Sequence, residues 1–300
     1  MKKKTYLFAL MAMALTLGSC SDNENGIGGE TSKYITVSTS IGNMTRVATD
    51  AKGGQTFEEG DEISVYAWTG APTVAPETRE RVVNNAINKL TNGSWVATPQ
   101  MLWKNNRDKH YFIGVYPVSA ISDLSAGEYT FDETKQVESD LLVAVNKDGL
   151  SYNVDEQQPV PLTFTHVMAK LVVNLTYKNQ WGGIPTVEKV VVGNAAKEAT
   201  INYLTKVVTP STTAKEDFSL PEITENTKYV SVIIPQEDVK QLTIVIGGKN
   251  FVYDNGTPFK LESGKITTVN LEVGRDEIKL GDVKITDWEN GSTFSGEALN

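Results

Sequence analysis

Apolar and polar residues alternate along short segments of this chain from near its beginning to near its end. "YITVSTSIG" sets Ile35, Val37 and Ile41 on one side, "DEISVYAW" sets Ile63, Val65 and Ala67, and "KHYFIGVYP" sets Tyr111, Ile113 and Val115. The alternation returns in "AKLVVNL" (Ala169, Leu171, Val173, Leu175), "YVSVIIP" (Val230, Val232, Ile234) and "QLTIVIGG" (Leu242, Ile244, Ile246). It closes with "TTVNLEV" (Val269, Leu271, Val273) and "GDVKITDW" (Val283, Ile285). A repeat of two is the signature of extended backbone, whose successive side chains point to opposite faces. Each segment is read as a strand with one buried face. Short strands separated by Gly, Pro and Asn turns predict an all-β fold built of β-sandwiches.

One segment breaks the rule. "ERVVNNAINKL" spaces Val82, Val83, Ala86, Ile87 and Leu90 as an amphipathic helix would. It runs into "TNGSW", and an Asn-Gly pair between apolar runs is a strong hairpin signal, so it is read as a strand returning through Trp95 and Val96, with a helix over residues 80–90 left open.

With 300 residues, 40% of them hydrophobic and 22% charged, the chain has ample material for a core, which excludes disordered, collagenous and coiled-coil classes. Acidic and amide residues with two prolines in "VDEQQPVPLTF" mark a boundary, dividing the chain into β-sandwich domains at 33–158 and 159–300.

The first residues are of a different kind. "MKKK" is a positive start, "TYLFALMAMALTL" an apolar run too short to span a bilayer, and Gly18 and Ser19 precede Cys20, the sole cysteine. Residues 1–19 are read as a secretory signal peptide and 20–32 as a polar linker. The Leu-x-small-Cys ending resembles the lipobox of bacterial lipoproteins, which implies cleavage before Cys20 and a diacylglyceryl group on its sulfur, with palmitate among the acyl chains. The membrane partner would be reached through that lipidated Cys20, which leaves no thiol for a disulfide. Removing Lys2, Lys3 and Lys4 takes the net charge from −9 to three units lower, so nucleic acid is not an expected partner.

Catalytic chemistry finds little footing. His110 and His166 are the only histidines, each at a predicted strand edge and read as bonded to backbone rather than to a metal. Glu58, Glu59 and Asp61, and the pair Asp155 and Glu156, are read as solvated loops. No phosphate-cradling glycine loop or Gly-x-Ser-x-Gly motif is present. No enzyme activity, catalytic residue, metal or cofactor is expected. Trp68, Trp95, Trp103, Trp181 and Trp288 are read as core or rim packing, with a sugar-stacking platform as the other use of such rings.

The run "FEEGDEISVYAW", following an N-terminal strand and "NMTR", resembles the fimbrillins, the Mfa-like family of type V pilus subunits. "HYFIGVYP", "LTFTHVMAKLVVNL" and "ITDWENG" resemble later motifs of the same family, in order, so the likeness spans the chain that follows the signal. The resemblance implies two tandem transthyretin-like β-sandwich domains, export as an outer-membrane lipoprotein, removal of the first strand by a surface protease, and polymerisation with other pilus subunits by donor-strand exchange. Arg46 stands where an Arg-specific cut before Val47 is expected. Loss of the first strand would vacate a groove at Ile35, Val37 and Ile41, and the candidate donor is the C-terminal strand with Val283, Ile285 and Trp288. The tail "ENGSTFSGEALN" is polar, which fits either a tip or base subunit or a tail that extends beyond the groove. The function expected is therefore that of a structural, adhesive pilus subunit that ends in a cell-surface fimbrium, with a host or bacterial surface receptor as a further partner. The alternative is a lipid-anchored glycan-binding surface protein that never polymerises, or an anchor or tip subunit.

Overall fold

The computed structural model describes residues 34–42, 56–152, 158–254 and 256–288. In the first half run β1 (Val37–Ile41), β2 (Glu62–Thr69), β3 (Arg81–Thr91), β4 (Ser94–Thr98), β5 (His110–Tyr116), β6 (Gly127–Thr130), β7 (Leu142–Leu150) and β8 (Val160–His166). In the second run β9 (Ala169–Tyr177), β10 (Val187–Ala196), β11 (Glu198–Asn202), β12 (Val207–Pro210), β13 (Lys215–Ser219) and β14 (Glu222–Thr224). They are followed by β15 (Lys228–Ile233), β16 (Gln241–Ile246), β17 (Lys249–Asp254), β18 (Lys265–Val273) and β19 (Ile278–Asp287). The fold is all-β, and every alternating segment of the sequence forms a strand.

Seven strands make the largest sheet, in the order β1-β8-β7-β5-β2-β3-β4. It curls until its edges meet: Trp95 Nε1 on β4 donates to Thr39 Oγ1 on β1 at 3.0 Å, and the Ile35 amide donates to the Met101 carbonyl at 2.9 Å. The curl encloses a core of Ile35, Val37, Ile63, Val65, Phe112 and Phe164 with their neighbours. Phe57 plugs one end, its ring packed edge-on against Trp95, Tyr116 and Phe164 with centroids 5.1–5.4 Å apart. Gly114 leaves the space that the Phe164 ring fills, since a Cβ there would lie 2.6 Å from Phe164 Cζ.

The segment 81–91 is strand β3, paired antiparallel with both β2 and β4. Asn92 and Gly93 form its two-residue turn with φ of 52° and 74°, the left-handed pair that a tight hairpin of this twist requires. Its helix-like spacing comes from irregular pairing. Ala67 faces Val83 and Val65 faces Ala86, so an extra residue is accommodated around Asn85, itself at φ 54°.

In the second half, a five-stranded sheet (β14-β15-β9-β18-β19) and a four-stranded sheet (β13-β10-β16-β17) share one core. Leu171, Val173, Val269 and Leu271 come from the first, and Val190, Val192, Leu242 and Ile244 from the second. The outer face of the five-stranded sheet carries a polar ladder in which Asn174 Nδ2 donates to Asn270 Oδ1 and Asn270 Nδ2 to Asp282 Oδ1, at 2.7 and 2.6 Å.

The same core continues into the first half through Tyr66, Trp68, Ile113, Val115 and Val143, on the side of the large sheet turned away from its own curl. This corrects the expectation of one buried face per strand. Ile63 to Trp68 on β2 and His110 to Val115 on β5 are buried on both sides, because the sheet has an apolar core on each face. A three-stranded sheet, β12-β11-β6, ties the halves together. The loop leading to β6 is pinned by Arg81, whose guanidinium donates to the carbonyls of Ile121 and Ser122, and by Tyr66, whose hydroxyl accepts from the Ile121 amide. β8, the strand just after the boundary expected at 158/159, is hydrogen-bonded to β1 and β7 of the large sheet.

Candidate functional site

The two ends of the described chain form the region singled out by the sequence. β1 lies parallel to β8 in a register that pairs Val37 with Val160 and Ile41 with Phe164. Parallel partners need a long intervening connection, and here nearly all of the large sheet intervenes. The Val160 amide donates to the Thr36 carbonyl and the Gly42 amide to the Phe164 carbonyl, both at 2.8 Å. Ile35 and Val37 are 3% and 6% exposed inside the curled sheet, whereas Ile41 is half-buried at its end. Cys20, Arg46 and Val47 lie outside the described residues.

At the other end, β19 is antiparallel to β18 with Val283 opposite Val269 and Ile285 opposite Thr267. Val269 and Thr267 are fully buried, but Val283 and Ile285 are each 39% exposed, because β19 is the outermost strand of its sheet. Trp288 ends the strand differently. Its indole lies on the His166 imidazole, centroids 4.0 Å apart and planes within 5°, and its amide donates to the Gly264 carbonyl at 3.0 Å. The Lys170 ammonium lies 5.1 Å from the indole centroid, within range of a cation–π attraction. Burial pushes the Lys170 pKa down to about 8, with the Asp140 carboxylate opposing and Lys228 reinforcing that shift.

His166 is buried, with Nδ1 at 2.8 Å from Asp140 Oδ1 and Nε2 without a hydrogen-bond partner. Its carboxylate partner replaces the backbone partner expected. His110 matches its expectation: Nδ1 lies 3.0 Å from the Asp108 carbonyl and Nε2 accepts from the Lys104 amide, while burial lowers its pKa. Glu59 accepts from the Asn92 amide and Asp61 from the Glu58 amide, so these carboxylates serve turns. Asp155 and Glu156 lie outside the described residues. Among the described residues no cluster of His, Cys, Asp and Glu is arranged to hold a metal, and no helix is long and apolar enough to cross a membrane.

Sequence reasoning named Trp288 but missed its partners. His166 and Lys170 precede it by more than a hundred residues, and only the parallel pairing of β18 with β9 brings the regions together. The pairing of β1 with β8 was equally out of reach.

The model of the fimbrillin-like family matches residues 45–288. The chain belongs to the fimbrillin-like family. This fimbrillin-like chain shares its fold with a candidate cell adhesion protein of Bacteroides uniformis, at TM-score 0.65 and 18% identity over 87% of this chain and 100% of that one. A candidate cell adhesion protein of Bacteroides ovatus gives 0.62 at 18% identity, over 85% and 98%. The tip fimbrial protein Mfa3 of Porphyromonas gingivalis, truncated at its C-terminus, gives 0.50 at 12% identity, over 77% and 95%. No curated protein matches the chain. Membership puts this fimbrillin-like chain in a family of structural proteins of cell-surface fimbriae, the family that its sequence motifs resemble.

Proposed function

We propose that this chain is an adhesive fimbrial subunit that is exported as an outer-membrane lipoprotein through Cys20, processed between Arg46 and Val47, and assembled with other subunits by strand complementation. Its two sandwich units divide between β8 and β9, a few residues after the expected 158/159 boundary, because β8 pairs with β1 and β7. The observation that carries this reading is the position of β1 and its lead-in: an edge segment that contributes Ile35, just before the strand, and Val37 to a closed core and is joined to β2 through the segment containing Arg46. Burying each of those side chains is worth about 1.5–3 kcal/mol, so losing β1 leaves an apolar slot and a row of unpaired backbone groups along β8. A strand from a second copy, its Val283 and Ile285 alternating with polar residues, has the pattern to refill it. Such a contact is head-to-tail and does not close, which makes a filament.

A specific observation favours the variant in which the chain accepts a strand without donating one. Trp288 is 7% exposed and packed on His166 of its own fold, so release of β19 must first break that contact. In a head-to-tail fimbrium the subunit at one of the two ends needs only the acceptor slot. The test is N-terminal sequencing of sheared surface protein together with a polymer ladder on partly denaturing gels. A Val47 start and loss of the ladder in Arg46→Ala support processing and assembly. A Cys20 start with a wild-type ladder in Arg46→Ala contradicts them.

A further inference from the structure

Far from the sequence positions of both chain ends, an open cleft of about 740 Å3 lies between the β2–β3 and β4–β5 connections. Val74 and Arg79 line it from the first connection, and Leu102, Trp103 and Lys104 from the second, with Arg81 at the start of β3. Its volume is in the range of small-ligand sites. Two of its walls are aliphatic and open, Val74 at 62% and Leu102 at 46% exposure. Trp103 is half-buried and held edge-on by His110 and Phe112, so its ring has a fixed orientation.

The cleft's charge opposes that of the chain. Arg79, Arg81 and Lys104 line it against the single carboxylate Glu80, on a protein of net charge −9. Arg81 is 8% exposed, and its guanidinium donates to neutral oxygens, the Ile121 and Ser122 carbonyls at 2.7 and 2.6 Å and Asn84 Oδ1 at 2.9 Å, while its Nε is buried without a hydrogen-bond partner. The Asp123 carboxylate acts on part of that charge from the far side, so the charge facing the cleft comes chiefly from Arg79 and Lys104. The Lys104 ammonium donates to Thr69 Oγ1 at 3.2 Å, and among the described residues it is in no ion pair. Arg79 pairs with Glu77 at 2.8 Å, but both side chains are largely exposed, a setting in which ion pairs are weak and exchangeable.

We propose that this cleft is a binding site for a carboxylate-bearing sugar, with Lys104 and Arg79 taking the carboxylate and Trp103, Leu102 and Val74 receiving the C–H faces of the ring. An extended acidic peptide suits it less well. The lining consists of connections and strand ends, and the backbone at Leu102 is already bridged to Tyr34, so no open strand edge is offered for main-chain pairing. The site is complete in the uncut chain, so its binding can be tested apart from strand exchange.

The test uses the uncut, full-length chain and follows tryptophan fluorescence and titration heat with glucuronate-terminated and sialate-terminated oligosaccharides. Neutral oligosaccharides of equal length are the controls. The expected result is saturable binding of at least one acidic sugar, with the neutral counterpart at least about tenfold weaker. Lys104→Glu and Arg79→Glu should each weaken binding by about tenfold, and added salt should weaken it too. Both side chains are exposed, so thermal melts of the variants should match the parent. Absence of saturable binding by either acidic sugar, equal binding of the neutral control, unchanged affinity in both variants, or tighter binding of an oligoglutamate peptide each overturns the proposal.

Discussion

Trp288 lies face to face with His166, centroids 4.0 Å apart and planes within 5°, joining the last residue described on the C-terminal side to the end of β8. His166 in turn meets Asp140 at 2.8 Å. Past Leu280, β19 is exposed on both faces, so this ring is the main buried side chain fastening its far end.

Trp288→Ala should therefore lower stability by about 3 kcal/mol, the low end for deleting a buried aromatic, and Trp288→Phe should recover most of that. The readouts are the urea midpoint at unchanged slope and amide exchange along β19. A midpoint equal to the parent's in the alanine variant would show that the ring does not hold the strand.

Lys170 should give the chain an alkaline rise in stability. Its pKa in the fold is about 8, whereas the unfolded chain's lysine titrates near 10.5. Between those values the unfolded chain binds more protons, so stability grows with pH there, by up to about 3 kcal/mol, and is flat below. Burial lowers Lys206 as well, in the same sense. Burial raises Tyr129, Tyr177 and Tyr203 above their ordinary 10.0, so their contribution is lost at higher pH. The melting temperature should climb from pH 8 to near 10 and then fall, and Lys170→Met should flatten much of the climb. A parent protein with no climb rules this out.

Gly114→Ala should cost about 1–3 kcal/mol, because the new methyl would stand 2.6 Å from Phe164 Cζ and 3.1 Å from Leu162 Cδ1. Pairing it with Phe164→Leu should restore part of the loss, since contacting sites couple. Additive losses in the double variant, measured by denaturant melts, would contradict the clash.

Ile35→Ala should act locally before it acts globally. It thins the lead-in to β1 where that segment enters the curled core, so the Val160 amide, which donates to the Thr36 carbonyl, should exchange at least about tenfold faster while amides of β5 change less. Equal acceleration in β1, β8 and β5 would mean that the first strand does not open by itself.

Much of this architecture is legible in the sequence because strand periodicity is a local signal. Ile63, Val65 and Ala67 share a face as read, and the Asn92-Gly93 turn was found from two letters. The ambiguity over residues 80–90 has a physical origin, since the extra residue near Asn85 puts Val83 and Ala86 on one face at a spacing of three, as a helix also would. The stack of Trp288 on His166, the carboxylate behind it and the cleft beside Trp103 were not legible. Each depends on which strands become neighbours, and a repeat of two says which way a side chain points without saying what it meets.

The parallel pairing of β1 with β8 also sets an order of events. Val37 and Val160 are partners 123 positions apart in the sequence, so this early strand cannot dock during synthesis until almost the whole large sheet has followed it. Contacts of such long sequence separation form slowly, because loop-closure entropy must be met before they stabilise anything. The newborn protein thus passes through an interval in which the rest of the sheet can assemble while its leading segment is still unattached.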